Sequence, residues 1–166
     1  MQEWIIIASA DKNWGIGYKN KLLVKIPEDM KHVSAKTTGK VIVMGRKTLE
    51  SFPGGRPLPN RTNVVLTTNV GYKVEGAVVV HSIQELMDEL KDYDGEIYVF
   101  GGESIYRQLM PYCTKAYITR INKEFQADSF LPCLDEIDGW KLIKKGRWQT
   151  SREGIEYRFD EYIRSI

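Results

Sequence analysis

The chain has two cysteines, two histidines, a net charge of only +2 and no long apolar run, and each shortage removes a class of function. Cys113 and Cys133 stand alone, with no CxxC spacing, so a disulfide scaffold and a cysteine-based zinc site are both excluded. Both are expected as packed thiols. His32 and His81 have no spacing that builds a triad or a metal site; no metal is expected, and each ring is expected at the surface or an edge. Without a lysine or arginine block, nothing marks a nucleic-acid partner. No apolar stretch approaches a membrane span, and MQEWIIIASADKN lacks a basic leader with a cleavage site, so a soluble cytoplasmic chain is expected. GxGxxG, GxSxG and the P-loop are absent as well. No repeat or low-complexity linker divides the 166 residues, and 42% hydrophobic content argues for a single packed domain over 1–166.

Three segments then stand out: VIVMGRKT at 41–48, NVVLTTN at 63–69 and IYVFGGES at 97–104. Each is a fully apolar run that ends abruptly in glycine, hydroxyl or basic residues. Such runs suit strands covered on both faces, as in a parallel sheet, where ligands sit beyond the carboxyl ends. Further strands are expected at 5–10 and 77–81. Helices are expected around 25–39, near 47–51, over 83–91 behind an N-cap at Ser82 with Glu85 closing a capping box, and at 103–110. Beyond Pro111 the pattern turns to strands at 115–121, 140–148 and 156–163. The expected fold is a three-layer α/β domain. Its central, mostly parallel sheet has about eight strands, an antiparallel C-terminal edge and four flanking helices.

Gly45, Arg46, Lys47 and Thr48 join a strand to a helix, where exposed N–H groups, two cations and a hydroxyl favour an anion; a plain glycine turn with solvated cations is the equal alternative. Gly101–Gly102 lets a ligand approach the backbone, or simply makes a tight turn. Thr67 and Thr68 end their strand and alone say little. Asp29 follows Pro27 in a first helical turn, where an acid ordinarily faces water as a dipole partner. It also borders the apolar Met30 and Val33, and an acid projecting from there into a pocket would have its pKa raised.

Taken together, NWGIGYKNKLL at 13–23, IPEDM at 26–30, TTGKVIVMGRKTLESFP at 37–53, RPLPNRTNVVLT at 56–67 and VFGGESIY at 99–106 resemble the dihydrofolate reductase family in order and spacing. The resemblance implies an NADPH-dependent oxidoreductase that reduces dihydrofolate to tetrahydrofolate in one-carbon metabolism, a target of antifolates and ordinarily a monomer. It implies that Asp29 binds the pterin amino group and ring nitrogen, with Thr119 bonding the acid, and that Arg61 grips the α-carboxylate of the glutamate tail. Ile7, Met30, Val33, Phe52 and Leu58 would line the pterin and benzoyl pocket. For NADPH it implies Arg46, Lys47, Thr48 and Thr68 at the phosphates, with Gly45 and Thr67 beside them. Gly101, Gly102, Ser104, Ile105 and Tyr106 would flank the cofactor. Ser9, Ile16 and Gly17 would meet the nicotinamide, under a mobile loop at 13–23.

The chain departs from the family pattern at Leu23–Val24, usually Pro–Trp, at Val33, usually phenylalanine, and at Ser9, usually alanine. An active enzyme with altered substrate or antifolate affinity is expected. Two rivals remain open from sequence: a pterin- or pyrimidine-reducing relative such as the reductase domain of riboflavin biosynthesis, and a non-catalytic nucleotide-binding module. Asp29 together with Arg61 favours folate over the first, and Asp29 at the edge of an apolar face argues against the second.

Overall fold

A computed structural model describes residues 1–165. The strands are β1 (Glu3–Ala10), β2 (Gly15–Tyr18), β3 (Lys21–Leu22), β4 (Val41–Gly45), β5 (Thr62–Leu66), β6 (Ala77–Val80), β7 (Glu96–Gly101), β8 (Lys115–Ile121), β9 (Ser129–Phe130), β10 (Trp140–Lys144), β11 (Gln149–Thr150) and β12 (Glu156–Arg164). The helices are α1 (Pro27–Thr37), α2 (Arg46–Glu50), α3 (Ile83–Leu90) and α4 (Glu103–Leu109). The central sheet runs β10-β12-β8-β1-β7-β4-β5-β6, with β11 pairing on β12. Every pair from β8 to β6 is parallel, whereas β12 lies antiparallel to β8 and to β10. The expected α/β architecture is therefore present.

Burial explains the parallel centre. Val41, Ile42, Val43 and Met44 of β4 and Ile5, Ile6 and Ile7 of β1 are all buried, so both sheet faces are covered. Two apolar clusters result. The larger holds Ile6, Val43, Val64, Val99, Leu86 and Tyr106; the smaller holds Ile5, Ile7, Ile42, Met44, Leu49, Val65 and Tyr98. α1 starts without a side-chain cap: Ile26 occupies the cap position, Pro27 follows it, and Glu28 and Asp29 sit at the positive end. Of its residues only Thr37 is buried, so the helix stands over a cleft rather than sealing the sheet.

Three expectations need correction. The strand expected at 140–148 ends early: β10 stops at Lys144, after a register shift between Leu142 and Lys144, and pairing resumes only at β11, beyond the expected end. The segment at 13–23 is not a bare loop: β2 pairs with β3 and with β9 in a separate three-stranded sheet, which sequence reading missed because these strands are short. Ser82 does cap α3 by accepting from the Glu85 N–H, but the Glu85 carboxylate accepts from the His81 N–H, one residue earlier than a capping box requires.

Candidate active site

The three strand ends that stand out in the sequence are spatial neighbours, since β4 lies between β7 and β5. Met44 registers with Gly101 of β7, and Gly45 with Leu66 of β5. Arg46, Lys47 and Thr48 therefore open α2 beside Thr67, Thr68 and the Gly101–Gly102 pair. Backbone is bare here for a reason. Gly101 has φ +92°, and a Cβ on it would be driven into the Tyr106 ring. A Cβ on Gly45 would come within 3.2 Å of the Ile105 side chain. Tyr106 is held in turn, its buried hydroxyl donating to the Ile7 carbonyl at 2.7 Å. The side chains around this crevice are partly engaged: Arg46 pairs with Glu50 at 3.1 Å, Thr67 Oγ1 accepts from the Asn69 N–H, and Ser104 Oγ accepts from Gln108. Lys47 and Thr68 are exposed.

Across β1 lies the acid. Thr119 is buried on β8 in register with Ser9, and its hydroxyl donates to Asp29 Oδ1 at 2.6 Å. Burial pushes the Asp29 carboxyl up to about 6, and the Thr119 bond pulls the other way without cancelling it. The solvated dipole-partner reading of Asp29 thus fails. Ile7, Val33, Phe52 and Leu58 share one apolar cluster beside it, with Phe52 edge-on to Phe100 at 6.2 Å. Met30 stands apart from them at 52% exposure, on the open side of α1. Ile16 packs against the larger cluster, and Gly17 lies in β2 with Leu22 opposite.

Arg61 closes the far end of the cleft. Its Nε donates to Thr37 Oγ1 at 3.0 Å, Nη2 to Ser34 Oγ at 2.9 Å and Nη1 to the Pro59 carbonyl at 3.4 Å. Burial lowers its pKa, yet a guanidinium remains charged. The loop that carries it is pinned by Asn63. That buried amide accepts from Leu58 N–H and donates to the Leu58 and Arg61 carbonyls.

The chain matches the family model described as dihydrofolate reductase over residues 3–164. It belongs to the dihydrofolate reductase family. Dihydrofolate reductase of Staphylococcus haemolyticus is 35% identical over 161 residues, 96% of this chain and 94% of that protein. That of Staphylococcus aureus is 40% identical over 127 residues, 76% of each. Among solved structures, Enterococcus faecalis dihydrofolate reductase complexed with NADP(H) and RAB-propyl superposes with a TM-score of 0.88 at 33% identity, covering 99% of this chain and 97% of that one.

Sequence reading missed several residues that build this site. Thr37 and Ser34 bond the Arg61 guanidinium and Asn63 bonds the Arg61 carbonyl, and only Asn63 carries a signal, as a polar residue opening the run NVVL. Asp11, buried, accepts from the Asn13, Gly15 and Phe125 N–H groups and so ties the start of the 13–23 segment to the chain beyond β8. Nor is His32 a plain edge side chain. It stacks on Phe159 at 3.9 Å, and desolvation, reinforced by Lys36, holds its pKa down at about 4. His81 bonds the Thr67 carbonyl through Nδ1. Val24 packs with the Ile26, Ile121 and Tyr157 cluster, where it offers no hydrogen bond.

Proposed function

We propose that the chain reduces dihydrofolate to tetrahydrofolate with NADPH, using Asp29 to orient the pterin and Arg61 to hold the tail carboxylate. The observation that carries this reading is the Asp29–Thr119 pair, set at the mouth of the Ile7, Val33, Phe52 and Leu58 pocket, one strand from the glycine crevice. The crevice suits a dinucleotide phosphate, because a Cβ on Gly102 would meet only Thr48 Oγ1, at 3.9 Å, so this backbone is open to a ligand, while Gly45 and Gly101 let the strand ends pack closely on Ile105 and Tyr106. Arg46, Lys47, Thr48, Thr67 and Thr68 would hold its phosphates. Gly45, Gly101, Gly102, Ser104, Ile105 and Tyr106 would flank it, and Ser9, Ile16 and Gly17 would meet the nicotinamide. When bound, NADPH supplies the hydride.

The protein's own residues do the rest. Thr119 uses its proton on Asp29 Oδ1, so the remaining lone pairs of the carboxylate face the cleft and accept from the pterin amino group and ring N–H. In this poorly solvated place the ionised acid raises the proton affinity of the bound ring, which favours protonation of the nitrogen next to the carbon that receives hydride. The proton arrives through water, since Asp29 grips the far edge of the ring. One hydride and one proton convert the C=N bond to CH–NH. Ile7, Val33, Phe52 and Leu58, with Met30 at the rim, exclude water from the ring faces.

The chain acts as one domain over 1–166 and as a cytoplasmic monomer without a nucleic-acid partner. No helix among the described residues is long and apolar enough to cross a membrane. The deciding experiment is a turnover assay: purified protein oxidises NADPH only when dihydrofolate is supplied. NADPH binding without turnover overturns the reading in favour of a nucleotide-binding module, and turnover confined to other pterins or pyrimidines favours the riboflavin-type relative.

A further inference from the structure

The Arg61 guanidinium has five N–H donors in a fixed plane. Its Nε–H and one Nη2–H point the same way and form a side fork, and that fork is occupied: Thr37 Oγ1 takes Nε at 3.0 Å and Ser34 Oγ takes Nη2 at 2.9 Å. One Nη1–H reaches the Pro59 carbonyl at 3.4 Å. This leaves one N–H on each of Nη1 and Nη2, the two nitrogens at the end of the guanidinium, without a partner among the described residues. That pair has the spacing of a carboxylate.

The two oxygens that occupy the side fork are not equivalent. Ser34 is exposed and exchanges readily with water, whereas Thr37 is fully buried. The Thr37 hydroxyl donates to the Val33 carbonyl one turn back at 2.9 Å, which aims a lone pair at Arg61 Nε. We infer that Thr37 is a positioning residue for tail recognition: its buried hydroxyl fixes the plane of Arg61 so that the end-on pair faces the substrate carboxylate. This rests on the assignment of Arg61 to the tail carboxylate. Asn63 complements it by fixing the backbone from which Arg61 projects.

The test compares dihydrofolate with a dihydropterin that lacks the benzoylglutamate tail, in wild type, Thr37→Val, Thr37→Ser and Arg61→Gln. Val33 keeps its carbonyl in the α1 ladder, so Thr37→Val retains the helix. The ratio of kcat/KM for dihydrofolate to that for the tail-less substrate falls about tenfold or more in Thr37→Val, and the loss lies in KM. Folate binding, followed by protein fluorescence, weakens in parallel, and Thr37→Ser restores both. An equal loss on both substrates, or no loss on either, assigns Thr37 a merely structural role and overturns the inference. If Arg61→Gln lowers the ratio and Thr37→Val does not, only the inference falls. If Arg61→Gln leaves the ratio unchanged, the carboxylate assignment falls and takes the inference with it.

Discussion

Replacing Asp29 by Asn should stabilise the protein at neutral pH while it cripples turnover. The ordinary carboxyl pKa of 3.8 rises to about 6 in the fold because burial disfavours the charge. Well below the ordinary value of 3.8 the group is protonated in both folded and unfolded chains, and it contributes no pH dependence. As pH rises further, the unfolded chain releases its proton near 3.8 while the folded protein holds on until about 6, so stability falls across that window. Above it the full penalty applies. A shift of about two units at about 1.4 kcal/mol each amounts to about 3 kcal/mol, an upper bound because solvent on the open side of the cleft screens the charge. Asn keeps the shape, cannot ionise, and still accepts from the Thr119 hydroxyl. The variant's stability advantage over wild type should therefore be constant well below pH 3.8 and grow by up to about 3 kcal/mol by pH 7. Urea unfolding at a series of pH values measures it. A difference that stays flat with pH refutes the argument, because it means that Asp29 is not desolvated. Turnover on dihydrofolate at pH 7 drops about a hundredfold or more in the same variant and recovers as acid protonates the substrate directly.

Two further substitutions probe the neighbouring parts. Thr119→Val removes the one side-chain donor that lowers the Asp29 pKa, so the acid limb of the kcat/KM profile should move upward by about one pH unit; a limb that stays in place would mean Thr119 is a packing residue. Gly101→Ala places a methyl group against the Tyr106 ring at φ +92° and should cost about 2 kcal/mol or more of stability and weaken NADPH binding. Denaturant unfolding and a fluorescence titration check it, and wild-type values in both would refute the close-approach argument.

What could be read in the sequence follows the range of the forces involved. The strands at 41–44, 64–66 and 97–100 announce themselves because burial on both faces leaves almost no polar residue in the run. Their adjacency is not written locally. It depends on β7 entering between β1 and β4, which nothing within any one segment encodes. β2, β3 and β9 escaped because strands of two and four residues are too short to carry a period to detect. Asp29 was ambiguous for the same reason. Its first-turn position is equally good for a solvated dipole partner, and only Thr119, ninety residues away in sequence, shows it turned into the fold as a half-buried acid. The resemblance supplied that pairing, and the fold supplied the Thr37 and Ser34 contacts that motif spacing could not.

The geometry of α1 joins these pieces. Asp29 sits in its first turn and Thr37 ends it, eight residues on by their numbers, so at 1.5 Å per residue the two lie about 12 Å apart along one axis. On the proposed assignments, one end of the helix would face the pterin and the other would hold the arginine for the tail carboxylate, so α1 would act as a ruler along the substrate. The charges suit the ruler too. The positive helix end favours the Asp29 anion that burial opposes, and the negative end favours the Arg61 cation packed beside Ser34 and Thr37. A helix doing this cannot also bury a broad apolar face, because the face turned to the sheet must stay open to ligand. That is why only Thr37 is buried along it, and why its hydrophobic pattern alone does not identify it as the wall of a binding cleft.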